Sequence, residues 1–246
     1  MQYSNNKTKI MVEQDKPFQG KYLEQMSLLL GEGRSPWTAA RFMKERIAHA
    51  HEFPDLLSYL DVPDLIFYDS RTRSGNPNGN PKFILTVDKN GRVTEEGRKA
   101  LEFINPNAKL APDYEFNPNS FYDSLPGIMV RSGLPALEVL EKHLTQKEIL
   151  ESKVWRILAR HPDEVDKEFA EDRTLLKEYA NWVKIQTKQE TNMGVYLNYN
   201  PRDEYYINPK LMAFCVGRLD FKSEIGFRKI LDHEINGRFV GYLAPI

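Results

Sequence analysis

The chain has 246 residues, of which 41% are hydrophobic and 28% charged, and its net charge is -1. That is enough chain for one large domain or two small ones, with enough apolar side chain to build a core, which excludes disorder along the whole length. Charge is balanced throughout, with 17 basic and 17 acidic side chains in residues 1–133, so no stretch is a basic field that holds nucleic-acid backbones regardless of sequence.

In chain order, residues 1–16 are polar and are expected to be a flexible lead-in or a short edge element. From Pro17 to Leu30 the spacing of Leu23, Met26 and Leu30 predicts a helix ended by Gly31 and Gly33. Ser35–Pro36 has the form of an N-cap followed by proline at the first helical position. Ala40, Met43, Ile47 and His51 then fall on one face, and Phe53–Pro54 stops the helix. A short helical turn is expected at Leu56–Leu60. Residues 64–68 and 82–87 are short, β-favouring runs. Asp88-Lys89-Asn90-Gly91 predicts a hairpin through positive φ at Asn-Gly, with Arg92–Thr94 returning. Thr94 is placed to cap a short helix reaching about Phe103. Residues 105–126 read as irregular, and 127–131 as a strand.

The segment 134–187 carries the strongest helical periodicity and two of the three tryptophans. Leu137, Leu140 and Leu144 predict a first helix. Thr145-Gln146-Lys147-Glu148 has the capping-box form and opens a second helix bearing Leu150, Val154, Ile157 and Leu158, with Trp155 on its shoulder, as far as His161–Pro162. Asp172 caps a third, which buries Leu175, Leu176, Tyr179, Trp182 and Val183. Strands are expected at 193–199, 210–216 and 237–243, with a second Asn-Gly hairpin at Asn236–Gly237. Blocks of strands and helices predict an α+β fold. Its antiparallel sheet, from the N- and C-terminal strands, packs on the central helical segment in a single domain over 17–246, with a two-part division near Gly133 as the alternative.

Four candidate sites follow. His49, His51 and Glu52, with Asp55 nearby, are suitable ligand types for a divalent metal, although an i, i+2 pair does not share a helix face. Asp232-His233-Glu234 could complete that site or form an acid/base pair. Arg71–Pro81 is a glycine- and asparagine-rich loop that lacks the P-loop ending. Tyr196, Tyr199, Arg202, Tyr205 and Tyr206 could form a partner surface or stack single-stranded bases. Cys215 is the single cysteine. It can form no internal disulfide, and its apolar surroundings predict an inert buried thiol.

Nucleophile-elbow, zinc-protease, dinucleotide and kinase motifs are absent from the sequence. No stretch approaches the ~20 apolar residues of a membrane span, and Met1–Lys7 lacks a signal-peptide core. The expectation is a soluble cytoplasmic binding protein with a protein partner and no evident cofactor. The alternatives are a metal-dependent hydrolase built on the two histidine clusters and, third, a single-strand nucleic-acid binder.

Overall fold

The computed structural model describes residues 15–68, 82–95, 97, 129–130, 142–189, 193–197, 210–216, 223–229 and 236–243. The fold is α+β. The first strand, β1 (Asp15–Lys21), starts inside the expected lead-in and occupies the start of the expected first helix. Pro17 and Gly20 are poor in a helix interior, so helix α1 (Tyr22–Gly31) begins only after them. β1 pairs antiparallel with the last strand, β10 (Asn236–Tyr242), over its whole length. β2 (Ser35–Pro36) takes the other side of β10, which closes a small sheet in the order β1-β10-β2.

Two local signals are overridden here. Ser35–Pro36 is not a helix start: it is strand, and the cap is Thr38, whose Oγ1 accepts the Arg41 amide at 3.1 Å ahead of helix α2 (Ala39–His49). Asn236–Gly237 is not a hairpin apex either. Both residues lie in the ladder, opposite Lys21 and Gly20. A partner more than 200 positions away supplies hydrogen bonds that no local window contains.

The larger sheet runs β5-β4-β3-β8-β9-β7-β6. Its members are β3 (Leu60–Tyr68), β4 (Lys82–Ile84), β5 (Met129–Val130), β6 (Lys142–Leu144), β7 (Met193–Leu197), β8 (Lys210–Val216) and β9 (Ser223–Lys229). Neighbours are antiparallel except for β7 and β9, which run parallel, so the sheet is mixed rather than purely antiparallel. β9 had no sequence expectation, because its charged residues Glu224, Arg228 and Lys229 blur the alternation. β3 starts earlier than expected. Its register with β8 slips between Asp61 and Leu65, where Pro63 has no amide to give the ladder.

The central segment is less helical than its periodicity suggests. β6 replaces the end of the expected first helix, because Lys142–Leu144 pair with β7. The capping box at Thr145 forms as expected and starts helix α3 (Gln146–Glu151). Ser152 then breaks the expected continuous helix. It ends α3 and caps helix α4 (Lys153–Leu158) by accepting the Trp155 amide. Helix α5 (Leu175–Thr187) follows Asp172, whose carboxylate accepts the Thr174 amide at 2.8 Å. Trp155 is not on a shoulder but at the centre of the core, fully buried beside Leu158, Tyr179 and Val183.

The Asp88–Gly91 hairpin forms, but only Gly91 takes positive φ. The Asp88 carboxylate accepts the Asn90 and Arg92 amides and so holds the turn itself. Gly91 packs so closely on Tyr242 that an added Cβ would overlap its hydroxyl. Thr94 Oγ1 accepts the Gly97 amide, the expected cap. The remainder of that expected helix, the expected loop at Arg71–Pro81 and the 105–126 segment expected to be irregular lie outside the described residues. Among the described residues no helix is long and apolar enough to cross a membrane.

Two buried arginines tie these layers together. Arg46 donates to the carbonyls of Leu56 at 2.7 Å and Ser58 at 2.8 Å and to the Tyr179 hydroxyl at 2.6 Å. It thereby clamps the short 3-10 turn Pro54–Leu57 between α2 and α5. Arg160 donates to both oxygens of Asp64 on β3, at 2.8 and 3.0 Å. Arg160 also holds φ +59 where α4 ends. The His161 amide reaches Arg156 O and the Arg160 amide reaches Ile157 O, a Schellman closure with arginine at the position glycine usually fills.

Candidate functional site

α2 has two working faces. Ala39, Met43 and Arg46 are buried. Phe42, Glu45 and His49, at steps of three and four, share the adjacent face and line a cleft of about 370 Å³. Trp37, just before the helix, completes this wall. β1 contributes Asp15 and Pro17, and β10 contributes Arg238 and Val240. The 3-10 turn and its flanks close one end with Phe53, Asp55, Leu56 and Tyr59. The volume falls within the range of small-molecule sites, and apolar walls with a few polar groups are their usual make-up.

The polar groups form a chain of loose contacts. Trp37 Nε1 donates to Asp15 Oδ1 at 3.3 Å. The Arg41 guanidinium lies 3.8 Å from Asp15 and 3.7 Å from Glu45, and the Glu45 carboxylate lies 3.9 Å from His49 Nε2. The three ion-pair distances, 3.7–3.9 Å, exceed hydrogen-bonding range. Arg41 Nε and His49 Nδ1 are both buried without a hydrogen-bond partner. Burial pushes the Asp15 carboxyl up from its ordinary value, against the pull of Arg41 and the indole hydrogen bond. Burial likewise pushes Glu45 up, against Arg41 and His49. Arg41 itself stacks on Tyr242 at 3.7 Å and on Trp37 at 5.4 Å. At the mouth, Arg238 pairs at 3.9 Å with Asp55, whose side chain is 94% exposed.

The candidates from sequence scatter. His49 lines the cleft. His51 does not continue the α2 stripe: it lies past the helix end, 73% exposed, and contacts its neighbour Glu52 at 3.3 Å. Neither His51 nor Glu52 lines the cleft. Among the described residues no three His, Cys, Asp or Glu side chains are grouped to hold a metal ion. Asp232, His233 and Glu234 lie outside the described residues, as do Tyr199, Arg202, Tyr205 and Tyr206. The backbone of Tyr196 is in β7, opposite Gly226. Cys215 is in β8, opposite Asp61 and Gly226.

The residues missed were Asp15, Trp37, Phe42, Glu45 and Arg238. A signal existed for part of the set, since Phe42, Glu45 and His49 follow helical spacing. It was masked by the purely apolar stripe beside it. Nothing local links Asp15 or Arg238 to α2, because only the β1–β10 ladder brings them there.

No family model matches the chain, and no curated protein matches it. A solved structure described as "Accommodation of massive sequence variation in Nanoarchaeota by the C-type lectin fold" is similar, with a TM-score of 0.53. The match covers 93% of this chain and 97% of that one at 15% identity. At that identity the likeness concerns the fold alone, which is α+β in both.

Proposed function

We propose that this chain is a binding protein and that the cleft beneath α2 is its recognition site. The observation that supports this reading is the cleft's composition. Four aromatic side chains, Trp37, Phe42, Phe53 and Tyr59, surround a cavity of about 370 Å³ into which enclosed carboxylates also face. The cleft opens to solvent, so the fold leaves this concave aromatic wall uncovered. Holding it open suits a ligand. The site is also built on rigid parts: α2, the closing strand pair, and a turn that Arg46 holds through two carbonyls. The occupant is a small molecule or a single side chain of a protein partner, because the cavity admits nothing larger.

The test is direct. A panel of small soluble aromatic and aliphatic compounds of positive, zero and negative charge is titrated while tryptophan fluorescence is followed. Saturable changes are expected for some members. They should disappear in Val240→Phe, which narrows the cleft, and in Trp37→Phe, which removes the reporter. Complete absence of saturable binding across the panel sinks the reading.

A further inference from the structure

We propose that the cleft takes a small organic cation, an ammonium or amidinium head on an apolar body, with Asp15 and Glu45 as its counter-charges. This rests on the cleft being the binding site and adds the chemical class of what binds there.

Charge bookkeeping around the cavity comes first. Three carboxylates line it, Asp15, Glu45 and Asp55, against one lining cation, Arg238. Arg238 is already drawn to Asp55 at the mouth. Arg34 and Lys44, which also act on Asp15 and Glu45, are bound to Glu32 and Glu171, and the His49 imidazole lies 3.9 Å from Glu45, which leaves Arg41, 3.7–3.8 Å from both inner carboxylates. It serves two anions at once and hydrogen-bonds neither through Nε, which has no partner. The inner carboxylates are therefore enclosed with less positive charge than they need. An anion would meet their repulsion, and a neutral ligand would leave the imbalance as it is. A cation relieves it.

The walls point the same way. Cations are attracted to the faces of aromatic rings, and aromatic cages recognise ammonium groups by this means. The chain already applies this chemistry to its own side chains beside the cleft. Arg41 lies over Tyr242 and Trp37, and Arg46 lies over Phe42 at 4.2 Å. Phe53, Leu56 and Val240 offer apolar surface for the rest of the ligand.

Calorimetric titration of the full chain with three probes of matched shape tests this: phenethylammonium, phenethyl alcohol and 3-phenylpropionate. The ammonium should bind about tenfold or more tightly than the alcohol, and the carboxylate more weakly than either. Glu45→Gln should cut ammonium affinity by about tenfold and leave alcohol affinity unchanged, with circular dichroism confirming the fold. Asp15→Asn is the second variant with the same expectation. If the alcohol binds as well as the ammonium, or the carboxylate binds better, the cation class falls while the cleft survives as a binding site. If none of the three binds, this inference falls, and the wider panel above decides the cleft itself. A lysine-containing peptide binding more than tenfold tighter than phenethylammonium would overturn the small-molecule occupant in favour of a partner's side chain.

Discussion

Arg46 shows how a single side chain sets the shape of the site. Its donors satisfy two carbonyls and one hydroxyl that would otherwise be left short inside the fold, and unsatisfied buried polar groups are costly. Arg46→Leu is expected to lower stability by about 3 kcal/mol or more. Chemical denaturation measures this, and an unchanged midpoint would show that the clamp is dispensable. Glu45 makes a different prediction. Burial holds its carboxyl above the ordinary range, so the folded state binds that proton more tightly than the unfolded chain does. This contribution to stability is full below the unfolded value and is lost as pH rises through the folded one. Glu45→Gln should therefore gain on the parent as pH rises from about 4.5 to 7, by denaturant unfolding at each pH. A gap that narrows over that window would reverse the assignment. His49 was visible in the sequence only because His51 stands beside it; in the structure its Nε2 lies 3.9 Å from the Glu45 carboxylate instead.

Elements were legible where their causes are local. The box at Thr145 is complete: its Oγ1 accepts the Glu148 amide, and the Glu148 carboxylate accepts the Thr145 amide. Thr145→Ala should cost about 1 kcal/mol, read as a lowered midpoint of thermal unfolding, and Thr145→Ser should recover most of it. The Asp88 turn was equally readable, since it depends on residues within four positions, whereas Asp172 holds only the turn ahead of α5, whose N-cap is Thr174 with no side-chain cap. Elements were misread where a distant strand decides the outcome. Ser35–Pro36 has a helix-start signature, yet β10 claims it. Leu144 fits a helical stripe, yet Lys142–Leu144 pair with β7. In both, inter-strand hydrogen bonds outweigh a propensity worth a few tenths of a kcal/mol per residue. The proline in β3 left a trace that sequence could show, but its consequence, a slipped register beside the buried Asp64, needed the neighbour strand to appear.

At the scale of the whole molecule, the small sheet joins segments from opposite ends of the sequence, and four of the thirteen side chains that line the cleft are mounted on it. Removing residues 1–21 should deprive β10 of its antiparallel partner along all seven rungs. Amides of β10 should then lose protection in hydrogen-exchange mass spectrometry, and the binding proposed for the cleft should vanish even if α3, α4 and α5 keep their protection. Retained protection in β10 would show that the sheet does not depend on β1. The direction of this pairing also has a mechanical meaning. Asp15 and Tyr242 are register partners at one end of the ladder, and antiparallel hydrogen bonds lie across the strands. Tension applied to the chain on either side of those two residues would load a single rung at a time, peeling the seam like a zipper instead of shearing it. Asp15, Pro17, Val240 and Arg238 ride on the strands being peeled, and so do the buried Phe18, Phe239 and Tyr242, so a pull at this point would open the cleft and strip these core side chains together.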